Sequence, residues 1–201
     1  WLTERVWDPS LPQTLAQAGI EYTLTDDYHF LAVGLEEKQL YGYYLTEWQG
    51  SVVKVIPGLK KLRYMLPFRM EPEVISYLRG IAGEHPGGMA AMGDDLEKFG
   101  AWPQTHRHVY GEGWLRRFFD AVEASSDWLT MSLPGDIVSS RAPLGRIYLP
   151  TASYQEMMEW SWLGRDSQGA GVWHNFFHKY EEANHIHKRM LEVSARYENL
   201  G

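Results

Sequence analysis

The chain has 201 residues, 44% of them hydrophobic, which is enough apolar surface for a sizeable core and for one domain with at most a small appendage. Nineteen Lys and Arg against 26 Asp and Glu leave a formal charge of -7, so no basic surface can neutralise a phosphate backbone and nucleic acid is excluded as a partner. The absence of cysteine rules out disulfides and thiolate metal sites and fits a reducing, cytoplasmic compartment, and no apolar run approaches the roughly 20 residues of a bilayer span, so no membrane partner is expected.

In chain order, residues 11–18 read as a short helix, with Ser10 as its cap, Pro12 in the first turn and Gly19 at its end. Residues 20–25, rich in β-branched and aromatic side chains, predict a strand that runs into the acidic pair Asp26 and Asp27. Residues 41–47 and 51–56 predict a hairpin turning at Trp48-Gln49-Gly50, and 62–68 another short strand. A helix with Pro72 near its start carries Val74, Ile75, Leu78 and Ile81 on one side. After Gly87 and Gly88, the apolar run 89–92 has the character of a buried parallel strand that delivers Gly93-Asp94-Asp95 at its carboxyl end. This alternation of strands and helices argues for a parallel sheet or barrel, whose sites gather at the carboxyl ends of the strands. Residues 113–124 have helical apolar spacing; Pro134, Gly135, Pro143, Gly145 and Pro150 predict an irregular connection; 153–163 and 172–197 read as helices.

Aromatic residues make up 14% of the chain, with nine Trp and 12 Tyr, an excess that either fills a core or offers flat faces to sugar rings. The densest functional cluster is GDDLEKFG at residues 93–100, followed by Trp102. Asp94, Asp95 and Glu97 repel one another there, and in a concave site such crowding raises the pKa of one carboxyl until it can donate a proton to a glycosidic oxygen; a solvated acidic loop would have the same composition. A second cluster is WLTERVW at residues 1–7. Its Glu4 sits between Trp1 and Trp7 and directly before Arg5, whose guanidinium favours the ionised carboxylate that a nucleophile requires. Alone, that motif is no more specific than a surface ion pair beside packed aromatics.

Together and in this order, WLTERVW and GDDLEKFG resemble two signature regions of glycoside hydrolase family 57, in particular its 4-α-glucanotransferase and α-amylase-like members. Similar stretches continue through TDDYHF at 25–30, KFGAWP at 98–103, YLPTASYQEM at 148–157 and WHNFFHKY at 173–180. The resemblance implies that Glu4 is the nucleophile and Asp95 the general acid/base of a retaining double displacement on α-1,4-glucans, with a sugar hydroxyl or water as acceptor. It implies no cofactor and no metal, and an α-glucan or maltooligosaccharide as substrate. Trp102 is the expected stacking platform, with Asp94, Glu97, Asp27 and Trp1 as further substrate contacts. The implied fold is α/β: residues 1–133 form the later part of an incomplete (β/α)7 barrel, with Glu4 after its fourth strand and Asp95 at the end of its seventh, and 134–201 form a connection and a small helical subdomain. The family's first barrel strands and a C-terminal β-rich domain would lie outside the sequence.

Two rival readings follow from the residues. Asp26 and Asp27 with His174 and His178, an HxxxH pair sharing a helix face, could make a metal-dependent polysaccharide deacetylase, although the histidines fall far downstream in the helical part. His106, His108, His185 and His187 read as surface or packing residues. The third reading is a fragment that binds glucan without turning it over.

Overall fold

The computed structural model describes residues 1–162, 177 and 179–199, and they form an α/β architecture with a small mixed sheet. Helix α1, Leu11–Gln17, starts with Pro12 in its first turn as expected and ends where Gly19 takes φ 75°. The Ser10 side chain makes no capping bond to the helix; its hydroxyl and N–H both donate to Asp8 instead.

Strand β1, Tyr22–Asp26, leads directly into the short helix α2, Asp27–Leu31, where the Asp26 carboxylate caps Tyr28 N at 3.3 Å. The expected hairpin is present as β2, Tyr44–Trp48, and β3, Ser51–Gly58. Gln49 and Gly50 both take positive φ, the two-residue turn that matches strand twist. The central strand is β3, antiparallel to β2 and parallel to β1, with Asp26 opposite Gly58 at the carboxyl end.

Strand alternation assigns the two faces of the sheet. Val53 and Val55, beside Thr23, Thr25, Tyr44 and Thr46, bury into the main core with Trp7, Phe30, Leu62, Val74 and Trp114. Ile56 points the other way into a smaller cluster with Tyr43 and Val138, where Tyr22, Leu24, Leu45, Met89 and Ala91 are only partly covered.

Three expectations need correction. Residues 62–68 are not a strand: Lys60–Met65 forms helix α3, because the Asp27 carboxylate accepts the Lys60 N–H at 2.8 Å and Leu62 and Leu66 meet the core four residues apart. Residues 89–92 do not form a regular strand among the described residues. Ala91 makes one parallel bridge, to Gly58, and accepts the Leu59 N–H at 2.8 Å. The connection is less irregular than its prolines imply, since Pro134–Ser140 is helix α6, with Pro134 in its first turn, where a missing N–H costs nothing.

Helices α4, Glu71–Glu84, and α5, Trp114–Glu123, are present where the apolar spacing predicts helices, and they pack together. Trp114 is buried between Arg69, whose carbonyl takes its indole N–H at 2.8 Å, and a parallel-stacked Phe118. After α6 the chain returns along the free edge of β2, with Ile147 N donating to Leu45 O at 2.8 Å, and then reaches Trp7 through a bridge at Ala152. Helix α7, Gln155–Trp162, follows, and α8, Glu181–Glu198, ends the described chain. His174 and His178 lie outside the described residues. No described helix is long and apolar enough to cross a membrane.

Candidate active site

The carboxyl ends of the parallel segments converge on one depression, lined by Trp1, Arg5, Leu24, Asp26, Gly58 and Arg63, with Gly93 at its edge. Neither Glu4 nor Asp95 lines this depression; Glu4 lies next to its Arg5, on a single 3-10 turn, Thr3–Arg5, in which Glu4 (φ 54°) and Arg5 (φ 50°) are both left-handed. Non-glycine residues held there cost about 1–3 kcal/mol each and persist only where the surroundings fix them. The surroundings do: Trp7 and Ala152 exchange backbone bonds of 2.8 and 3.1 Å, and the Ser153 hydroxyl donates to Glu4 O.

Arg5 joins the two sequence motifs. Its Nη2 donates to Gly93 O at 3.1 Å and lies 3.5 Å from Asp94 Oδ1, and its guanidinium rests against the Trp1 ring. A Cβ on Gly93 would come within 3.1 Å of the Trp1 ring and 3.2 Å of Leu24, so a larger residue there would require those side chains to shift. The Asp94 side chain is only 7% exposed and is held on its second oxygen by the Lys98 ammonium, itself 3% exposed and also donating to Arg63 O. Burial pushes the Lys98 pKa down, against the pull of Asp94. Asp94 thus spends its charge on two cations and accepts the Asp95 N–H at 3.0 Å, which fixes the start of the Leu96–Phe99 turn and leaves Asp95 exposed to solvent.

The remaining predicted residues fall in three places. Trp1 is 53% exposed on the rim of the depression. Glu97 is exposed, and its carbonyl accepts Ala101 N and Trp102 N at 2.7 and 3.1 Å, so it fixes the backbone that presents Trp102. Trp102 is 42% exposed and lies nearly parallel to the exposed Phe68, which in turn sits under the Lys98 ammonium. Asp27 is buried, with its carboxylate on the α3 N-terminus. Burial first, and the adjacent Asp26 carboxylate second, push Asp27 from 3.8 up to about 6.

Because folding raises that pKa, the folded chain keeps a proton that the unfolded chain releases, and the associated stability is lost as pH rises from about 4 through about 6. Asp27→Asn retains an oxygen for the Lys60 N–H and removes the charge. It should flatten that decline and raise the melting temperature at neutral pH by about 3–6 °C. Melting curves between about pH 4 and 8 check this, and equal slopes for parent and variant would refute it.

Sequence reading missed a ring of residues around Arg63. The Arg63 guanidinium bridges Asp26 at 3.3 Å and Glu156 at 3.4 Å. Glu156 also takes the Tyr64 hydroxyl and lies 3.6 Å from the Lys60 ammonium, while Lys60 donates to Gln155 at 2.9 Å. Burial alone would raise Glu156, but these donors hold it below the usual range. Glu156 lies within YLPTASYQEM, so a signal existed; its partners, on α3, are visible only in three dimensions. Among the described residues no cluster of three or more His, Cys, Asp or Glu side chains is placed to hold a metal ion.

Comparisons with known proteins bear on this geometry. The profile of glycosyl hydrolase family 57 matches residues 1–150, and that of the alpha-amylase/4-alpha-glucanotransferase middle domain matches residues 171–201. A Pyrococcus abyssi protein named alpha-amylase is 45% identical over 96% of this chain and 33% of its own length. The 4-alpha-glucanotransferase of Thermococcus litoralis is 43% identical over 96% of this chain and 33% of its own. The crystal structure of that 4-alpha-glucanotransferase superposes with a TM-score of 0.87, covering 98% of this chain and 34% of the other. The chain spans about a third of the length of the curated relatives it matches.

Proposed function

The chain belongs to glycosyl hydrolase family 57, and from that premise we propose that it carries the catalytic pair of a retaining α-glucan-active enzyme, cleaving α-1,4-glucosidic bonds with transfer to a sugar hydroxyl or to water. The observation that carries the reading is the Arg5 bridge. One guanidinium bonded to Gly93 and beside Asp94 brings the Glu4 motif and the Asp95 motif to the same end of the sheet.

In this reading Glu4 attacks the anomeric carbon while Asp95, exposed on its turn, protonates the departing glycosidic oxygen. Asp95 then removes the proton of the acceptor as its oxygen displaces Glu4. Asp94 acts as the anchor that positions Asp95. Trp1 and Trp102 offer exposed ring faces to sugar C–H surfaces. Asp27, held at about 6, and the exposed Glu97 stand as the further candidates for hydroxyl contacts.

The fold belongs to the same proposal. Residues 1–133 are read as the later part of an incomplete (β/α)7 barrel and 134–201 as a connection and helical subdomain, of which 144–153 return to the main body. The partly covered face at Tyr22, Leu24, Leu45 and Met89 supports a barrel whose remaining strands complete it. Nothing among the described residues favours the deacetylase reading.

The test is stereochemical. The full-length protein incubated with maltoheptaose should give longer and shorter oligosaccharides, and NMR of the first products should show the α-anomer. First products in the β-configuration would exclude double displacement, and an unchanged substrate would exclude the activity.

A further inference from the structure

The segment that follows the Trp7–Ala152 bridge closes over the nucleophile turn. The Ser153 hydroxyl holds Glu4 O, and the next residue, Tyr154, places its ring beside two guanidinium groups, 5.8 Å from that of Arg5 and 5.6 Å from that of Arg63. Arg63 is itself fixed by Asp26 and Glu156, and Arg5 by Gly93 and Asp94, so both of the ring's cationic neighbours are held in place. The Tyr154 hydroxyl interacts electrostatically with the Glu4 carboxylate.

We propose that Tyr154 is a positioning residue for Glu4: its hydroxyl donates to one carboxylate oxygen, turns the other toward the anomeric carbon, and stabilises the carboxylate when it departs in the second displacement. The proposal rests on the reading of Glu4 as nucleophile. In the first displacement the Glu4 oxygen to carbon bond forms, the glycosidic bond breaks, and the proton from Asp95 leaves with the sugar oxygen. The carboxylate loses its charge as it becomes an ester, so the bond from Tyr154 weakens during this step and contributes orientation only. In the second displacement the acceptor oxygen bonds to the anomeric carbon, its proton passes to Asp95, and Glu4 regains its charge. The same hydrogen bond now strengthens toward the transition state. Tyr154 therefore favours deglycosylation over glycosylation. Burial, and after it the neighbouring Glu4 carboxylate, raise the Tyr154 pKa, which keeps the proton on the phenol where it can donate.

The experiment uses Tyr154→Phe in the full-length protein, which keeps the ring beside the two guanidinium groups. With maltoheptaose, kcat should fall about 10- to 100-fold, the range for a hydrogen bond to a charged group, while KM falls with it and kcat/KM changes much less. Intact-mass spectrometry during turnover should show a glycosyl-enzyme adduct that the parent does not accumulate. An unchanged kcat, or kcat and kcat/KM falling equally without adduct, overturns the proposal. A second measurement is independent of that variant's folding: labelled at tyrosine Cζ, Tyr154 should titrate at lower pH in Glu4→Gln than in the parent, and an unmoved titration overturns the proposal. Should Glu4→Gly keep its turnover, the nucleophile reading fails and this proposal with it. If Glu4→Gly is inactive and Tyr154→Phe behaves as the parent, only this proposal fails.

Discussion

Glu4→Gly is expected to lose maltooligosaccharide turnover by on the order of 10⁴-fold or more, since no other group can complete the first displacement. The backbone makes glycine the informative replacement. At φ 54° a side chain costs about 1–2 kcal/mol that glycine avoids, against about 0.5–1 kcal/mol of added chain entropy, so the variant should melt close to the parent. Loss of activity in a chain that still folds then reports the carboxylate. The vacated space admits a small anion: with α-glucosyl fluoride as donor, azide should restore turnover and yield the β-glucosyl azide, the product of one inversion. A Glu4→Gly protein that keeps a tenth of its activity, or that azide rescues with the α-product, would remove Glu4 from the role of nucleophile.

Local chemistry made part of this structure legible. The hairpin at Gln49 and Gly50, the Pro72 helix and the amphipathic α5 each depend on neighbours a few residues apart, and each is present where the sequence places it. Residues 62–68 failed because a short apolar run fits a strand or a helix equally, and the deciding bond comes from the Asp27 carboxylate on another element. Residues 89–92 failed for the converse reason: a strand is defined by its ladder, and here only Ala91 finds a bridge, to Gly58.

The site divides in the same way. Crowding of Asp94, Asp95 and Glu97 was visible in the sequence, but its resolution was not. Lys98 lies one turn away and could have been guessed as the cation for Asp94, whereas Arg5 reaches Asp94 across almost half the chain. The carboxyl that burial and a like charge push up is Asp27, from a motif read only as a possible substrate contact. The aromatic excess also splits: Trp7 and Trp114 fill the core, while Trp1 stays open on the rim of the depression and Trp102 stays open beside Phe68. Composition alone carries both uses without separating them, because burial is decided by tertiary neighbours.

Asp95 makes the second large prediction. Its side chain makes no capping bond in the turn it starts, so Asp95→Asn should leave the fold intact. Loss of a general acid typically costs about 10²- to 10⁴-fold, and that loss should appear in full with maltooligosaccharides, whose leaving oxygen needs a proton. It should be far smaller in the first step with α-glucosyl fluoride, because fluoride departs without one. The second step then lacks its base, and azide, which has no proton to lose, should relieve it and give the α-glucosyl azide after two inversions. Opposite azide anomers from the Glu4 and Asp95 variants would assign the two roles independently. The reverse pattern would exchange them, and that outcome would contradict the reading of Asp94 as the anchor that holds Asp95 toward the departing oxygen, because the anchored turn would then be presenting the nucleophile.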